Sequence, residues 1–211
     1  MKLDLKKLNQ KYIRTYRLIW CILAWTPLVI MIVLSLLQFS FIVFSTFTFQ
    51  SNLFVASWLT LNVIYYEKKI DLKILHPAVH GAITLYISVT FLIFAILLAP
   101  FYIPTGIYIF TNLMVHYVIP IAMIFEWLIT EIERKCEWIY LPYWLIYPIG
   151  YLIYSLILGG VFNIYIYPFF DMTKISIAGL IIAIIGLTLF FILLGALYIF
   201  LNRKIYKKYK K

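Results

Sequence analysis

Between Arg17 and Glu67 the chain carries no charged residue, and the run from Leu18 to Tyr66 is 49 residues long. A membrane-spanning helix uses about 20 apolar residues. The run is too long for one such helix and long enough for two joined by a tight turn. Of the 211 residues, 65% are hydrophobic and 12% charged. A soluble domain carries roughly 25% charged residues. The composition therefore predicts a multi-pass integral membrane protein, and the 18 Tyr, 17 Phe and 6 Trp suit helices that end at water–lipid interfaces.

Six segments are long and apolar enough to span: residues 18–38, 45–66, 79–99, 106–129, 141–160 and 176–201. The expected fold is all-α, a six-transmembrane-helix bundle forming a single domain over residues 1–211. The first turn is expected at 38–45. Pro100 closes the third span, and Pro104-Thr105-Gly106 opens a short turn before the fourth.

Lysine and arginine set the orientation. The N-terminus holds six: Lys2, Lys6, Lys7, Lys11, Arg14 and Arg17. The second loop holds Lys68, Lys69 and Lys73, and the fourth holds Arg134 and Lys135. The C-terminus holds Arg203, Lys204, Lys207, Lys208, Lys210 and Lys211. With six spans, 17 of the 18 basic residues fall on one side, and only Lys174 lies opposite. The positive-inside rule then places both termini in the cytoplasm of a cell-membrane protein. The net charge of +10 is thereby explained by basic tails resting on anionic headgroups, and no nucleic-acid partner is expected.

Cys21 and Cys136 offer neither a disulfide framework nor a zinc pattern. A lipoprotein site at Cys21 is not expected, because the apolar run begins there instead of preceding it, and neither is a cleaved signal peptide, because that run is 49 residues long and lacks a small-x-small exit. His76 and His80 have the spacing of a metal pair but straddle a helix start at Pro77, so they are expected as interface histidines. No metal or cofactor motif stands out. Glu126 is expected to snorkel to the inner interface. Gly179, Ala183 and Gly186 are expected to pack closely against a neighbouring helix.

The polar groups inside the spans carry the functional expectation. "FTFQSNL" (47–53) gathers Thr48, Gln50, Ser51 and Asn52 near the outer end of the second span. "TNLMVH" (111–116) places Asn112 and His116 four apart on one face of the fourth. Residue counting sets His116 about two turns deeper than Thr48. Thr84, Tyr86, Ser88 and Thr90 on the third span, with Tyr151, Tyr154 and Ser155 on the fifth, are further candidates to line the same space. An ionisable residue within a span marks a functional site or a buried partner.

The chain resembles the androgen-induced-gene family of multi-span membrane threonine hydrolases, and resembles their bacterial integral membrane relatives more closely still. The resemblance covers residues 40–175. It is carried by "FTFQSNL" (47–53), "LHPAVHGAITLYISVTFLIFAILLAP" (75–100), "TNLMVHYVIP" (111–120), "YPIGYLIYSL" (147–156) and "YPFFD" (167–171). It implies cleavage of fatty acid esters of hydroxy fatty acids, with Thr48 as nucleophile in the Thr48-Phe49 pair and His116 as its base. Here the spacing from His116 to Pro120 is one shorter than in eukaryotic members. Gln50-Ser51-Asn52 is more polar than its counterpart, and Leu158 stands where many bacterial relatives carry Arg.

The expected chemistry is attack by Thr48 on a lipid ester, with His116 relaying the proton. Ser51, Asn52 or Asn112 would hold the oxyanion or position the substrate. The alternatives are a non-enzymatic lipid-binding or scaffold protein, whose polar groups only bond helix to helix, and a small-molecule transporter.

Overall fold

The computed structural model describes residues 2–70, 76–131 and 134–209. Lys73, one of the orienting lysines, lies outside the described residues. Six long helices run in sequence: α1 Lys2–Leu37, α2 Phe47–Glu67, α3 Pro77–Phe101, α4 Ile107–Thr130, α5 Tyr140–Phe162 and α6 Ile177–Tyr209. No strand occurs among the described residues. Five of the six are long and apolar enough to cross a membrane; α2 is not among them. Its 21 residues reach about 31 Å at 1.5 Å per residue, so composition and not length sets it apart. The polar residues of α2 are affordable because α1, α3 and α4 enclose it: Ser51, Asn52 and Asn62 are buried.

Each boundary has a local cause. Thr46 caps α2, its hydroxyl accepting from Phe49 N–H at 3.1 Å. His76 caps α3, its Nδ1 accepting from Ala78 N–H at 3.1 Å, with Pro77 at the first helical position. Gly106 precedes α4 at φ +56°, backbone that favours glycine. α5 ends on Asn163 in the left-handed region.

Two helices widen into π-helical turns, Phe94–Leu98 in α3 and Met114–Val118 in α4. Each lies just upstream of a proline, Pro100 and Pro120. A helical proline offers no N–H and its ring clashes with the carbonyl four residues back. Those carbonyls belong to Ile96 and His116, each inside a widened turn.

α3 runs through the middle of the bundle, with half of its most apolar stretch buried, whereas α6 lies at the rim with 6% buried. One core cluster joins α1, α2 and α4 through Leu28, Val55, Trp58, Met114 and Met123. A second joins α3, α5 and α6 through Leu85, Trp144, Tyr151 and Tyr198. The close helix contacts use Gly81 and Gly195, where a Cβ would meet the side chains of Trp144 and Leu141. The expectation for Gly179, Ala183 and Gly186 fails. A Cβ at Gly179 would meet only its own chain neighbours Ile175 and Ser176, and one at Gly186 would meet nothing. The two glycines meet no neighbouring helix because α6 is peripheral.

Candidate functional site

The chain between α1 and α2 does not stay at the rim. Gln38, just past α1, donates from Nε2 to Tyr108 Oη at 2.6 Å, level with the first turn of α4. Residues 39–46 then descend through a 3-10 turn at Ile42–Ser45, so α2 begins beside His116. From Tyr108 to His116 is eight residues, about 12 Å along α4. The expected mismatch in depth between Thr48 and His116 is thereby removed. Counting from an α2 that started at the rim was the error; the helix start is recessed.

Thr48 Oγ1 lies 3.3 Å from His116 Nε2. The other ring nitrogen, Nδ1, lies 2.9 Å from Asn112 Oδ1. An amide oxygen only accepts, so Nδ1 carries the proton and the neutral ring presents Nε2 as an acceptor to Thr48. Phe94, in the widened turn of α3, stacks on His116 with ring centroids 3.6 Å apart and planes 9° apart. The π turn of α4 also frees a carbonyl. Ile119 N–H bonds to Met114, Pro120 has no N–H, and Val115 C=O accepts instead from Asn52 Nδ2 at 3.0 Å.

Asn52 Nδ2 also donates to Thr48 C=O at 2.9 Å. Ser51 Oγ donates to the same carbonyl at 3.1 Å and lies 2.7 Å from Thr90 Oγ1. Both side chains are buried behind Thr48 and hold its backbone. Of the expected site residues, Thr48, His116 and Asn112 border one cavity, of about 510 Å³, while Ser51 and Asn52 do not. Thr84, Tyr86 and Ser88 are spent elsewhere: Thr84 on His80 C=O, Tyr86 on Trp144 C=O, and Ser88 on Thr84 C=O and Tyr198.

Sequence reasoning did not single out Tyr167. It lies in the loop after α5, reaches the same cavity, and its hydroxyl accepts from Phe47 N–H at 3.0 Å. The Thr48 side chain and backbone N–H lie against it. Burial holds the Tyr167 phenol above its ordinary pKa, so it is present as O–H. A loop tyrosine in a chain with 18 gives no signal by itself.

A second polar cluster lies away from this cavity and overturns two expectations. Glu126 is 1% exposed and does not snorkel; Arg17 donates to its Oε1 from Nε at 2.7 Å and from a terminal nitrogen at 2.5 Å. His80 is fully buried inside the bundle, not exposed at its surface. Its Nδ1 lies 2.6 Å from Glu131 Oε1. Its Nε2 lies 2.6 Å from Glu126 Oε2, an ion contact that departs from hydrogen-bond direction. Arg134 pairs with Glu131, and Trp58 stacks on His80 at 4.6 Å. Opposite charges from α1, α3, α4 and the residues just past α4 satisfy one another here, which is why Glu126 and His80 can be buried. Nearby, burial pushes the Cys136 thiol up to about 12, which leaves it protonated and unreactive.

No family model, no curated protein and no solved structure matches the chain.

Proposed function

We propose that the protein is an intramembrane hydrolase of lipid esters, with Thr48 as nucleophile and His116 as general base. The observation that carries this reading is the 3.3 Å approach of Thr48 Oγ1 to the bare Nε2 of His116, at the edge of a cavity of about 510 Å³. A hydroxyl is a weak nucleophile until a base takes its proton. Contacts between such partners are commonly long before substrate binds.

The chemistry balances with the groups present. Thr48 Oγ1 attacks the ester carbonyl carbon as its proton passes to Nε2. The carbon–oxygen bond to the alcohol breaks, and Nε2–H protonates the departing oxygen. Water then attacks the acyl-threonine, giving one proton to Nε2, which returns it to Thr48. The products are a carboxylic acid and an alcohol. Asn112 keeps Nδ1–H fixed through both halves and so acts as a positioning residue. The Tyr167 O–H, which reaches the cavity beside Thr48, is the donor for the carbonyl oxygen as it becomes negative. Losing one such donor typically costs about 3 kcal/mol of transition-state stabilisation.

The basic-residue distribution supports six crossings with both termini cytoplasmic, α2 being the recessed sixth. The dyad then lies in the outer half of the membrane, and lipids are the partners at hand. Labelling the purified protein with a fluorophosphonate probe tests the reading. Wild type is expected to label, and Thr48→Ala and His116→Ala are expected not to. Labelling that persists in Thr48→Ala would refute the nucleophile.

A further inference from the structure

A second cavity meets the first at Thr48. It is a narrow apolar space of about 90 Å³ between α3, α5 and α6, walled by Ile93, Leu145, Ile149, Leu152, Leu187 and Phe191 among others. Thr48, Phe94, Leu98 and Tyr167 border both spaces, so the two adjoin at these four side chains. His116 and Asn112 border only the larger one. Ile149 is 49% exposed on the outside of the bundle. The narrow cavity therefore opens between α5 and α6 onto a surface of apolar side chains.

This asymmetry sorts the two halves of an ester. The leaving alcohol must collect its proton from His116 Nε2, so it departs into the larger cavity. The acyl half then lies on the apolar side of Thr48. The polar wall of the larger cavity is made of hydroxyls and amides, including Ser35, Gln38, Ser40, Tyr108 and Asn112. Such groups exchange hydrogen bonds with hydroxyls. They bring no fixed positive charge to pair with a carboxylate or phosphate, and a charge held there without a partner is disfavoured.

Resting on the hydrolase reading, we infer that the substrate is an uncharged ester lipid of the acylglycerol class. Its acyl chain enters from hydrocarbon between α5 and α6, and its hydroxyl-bearing alcohol occupies the larger cavity. This differs from the hydroxy fatty acid esters that the family resemblance implies, whose alcohol half ends in a carboxylate.

The test uses the full-length protein in lipid nanodiscs with three substrates: monooleoylglycerol, the oleoyl ester of a hydroxystearic acid, and p-nitrophenyl acetate, which fills neither cavity. The kcat/KM for monooleoylglycerol is expected to exceed that for the carboxylate-bearing ester at least tenfold. Ile149→Trp, at an exposed position that leaves the core intact, is expected to lower the ratio of kcat/KM on monooleoylglycerol to that on p-nitrophenyl acetate at least tenfold. Equal rates on the two lipids, or an unchanged ratio in the variant, overturn the proposal while acetate turnover leaves the dyad standing. A wild type that neither hydrolyses the acetate nor takes a fluorophosphonate at Thr48 overturns the dyad and the proposal together.

Discussion

At the scale of single residues, the hydrogen bond from His116 Nδ1 to Asn112 Oδ1 at 2.9 Å decides which nitrogen faces Thr48. In Asn112→Ala the ring is free to take the other tautomer, which presents a proton where a lone pair is needed. Turnover of p-nitrophenyl acetate is expected to fall at least about tenfold, since a positioned base contributes roughly 10²–10⁴. Asn112→Asp, which keeps an acceptor at the same place, is expected to restore most of it. A variant series in which Asp and Ala behave alike would remove Asn112 from the mechanism. Glu126 poses a different question, because it sits between Arg17 and His80 with no access to water. Glu126→Ala strands both partners, and breaking a buried pair costs about 3–5 kcal/mol. Thermal unfolding in detergent should show a drop of roughly 10 °C. Arg17→Met combined with Glu126→Leu should recover only the share lost at Arg17, since that pair is then replaced by apolar packing while His80 still lacks its partner.

At the scale of elements, the π turn at Met114–Val118 sets the rotation of the N-terminal half of α4 relative to its C-terminal half. Deleting Val118 is expected to restore ordinary helix and swing the N-terminal half by about 100°, the angle per residue at 3.6 residues per turn. His116 would leave Thr48, and probe labelling should disappear while the protein still expresses as a folded monodisperse species. Labelling at wild-type level would mean that the widened turn has no part in the site. The α3–α5 contact at Gly81 works through close approach. Gly81→Ala drives a methyl into the Trp144 ring, and such overpacking costs about 1–3 kcal/mol. The same detergent melt should register it, whereas Gly186→Ala, whose Cβ meets nothing, should leave the melting temperature unchanged.

At the scale of the whole molecule, an even number of crossings returns the chain to the side on which it started. Tags at the two ends are expected to become protease-accessible together, in inverted vesicles and not in intact cells. Tags on opposite sides would show that α2 does not complete a crossing. The two polar centres also divide the labour of the bundle. The Arg17–Glu126–His80–Glu131 cluster joins α1, α3 and α4 at one level, and the Thr48–His116 pair joins α2 and α4 at another. The first has its charges closed upon one another; the second opens into a cavity.

The linear chain determined the helical class, the helix ends marked by Pro77, Pro100 and Gly106, and the choice of Thr48, Asn112 and His116 as candidates. These depend on composition, short-range spacing and caps, which act within a few residues. Only the tertiary structure decided that α2 starts recessed, that Tyr167 reaches Thr48 from a distant loop, and that Glu126 and His80 lie buried in one ion cluster. Contacts of that kind join residues 46 to 120 apart, and no local rule ties such partners to one another. Burial of a charge in particular depends on whether a counter-charge from another helix arrives at the same depth, and the packing of the bundle decides that.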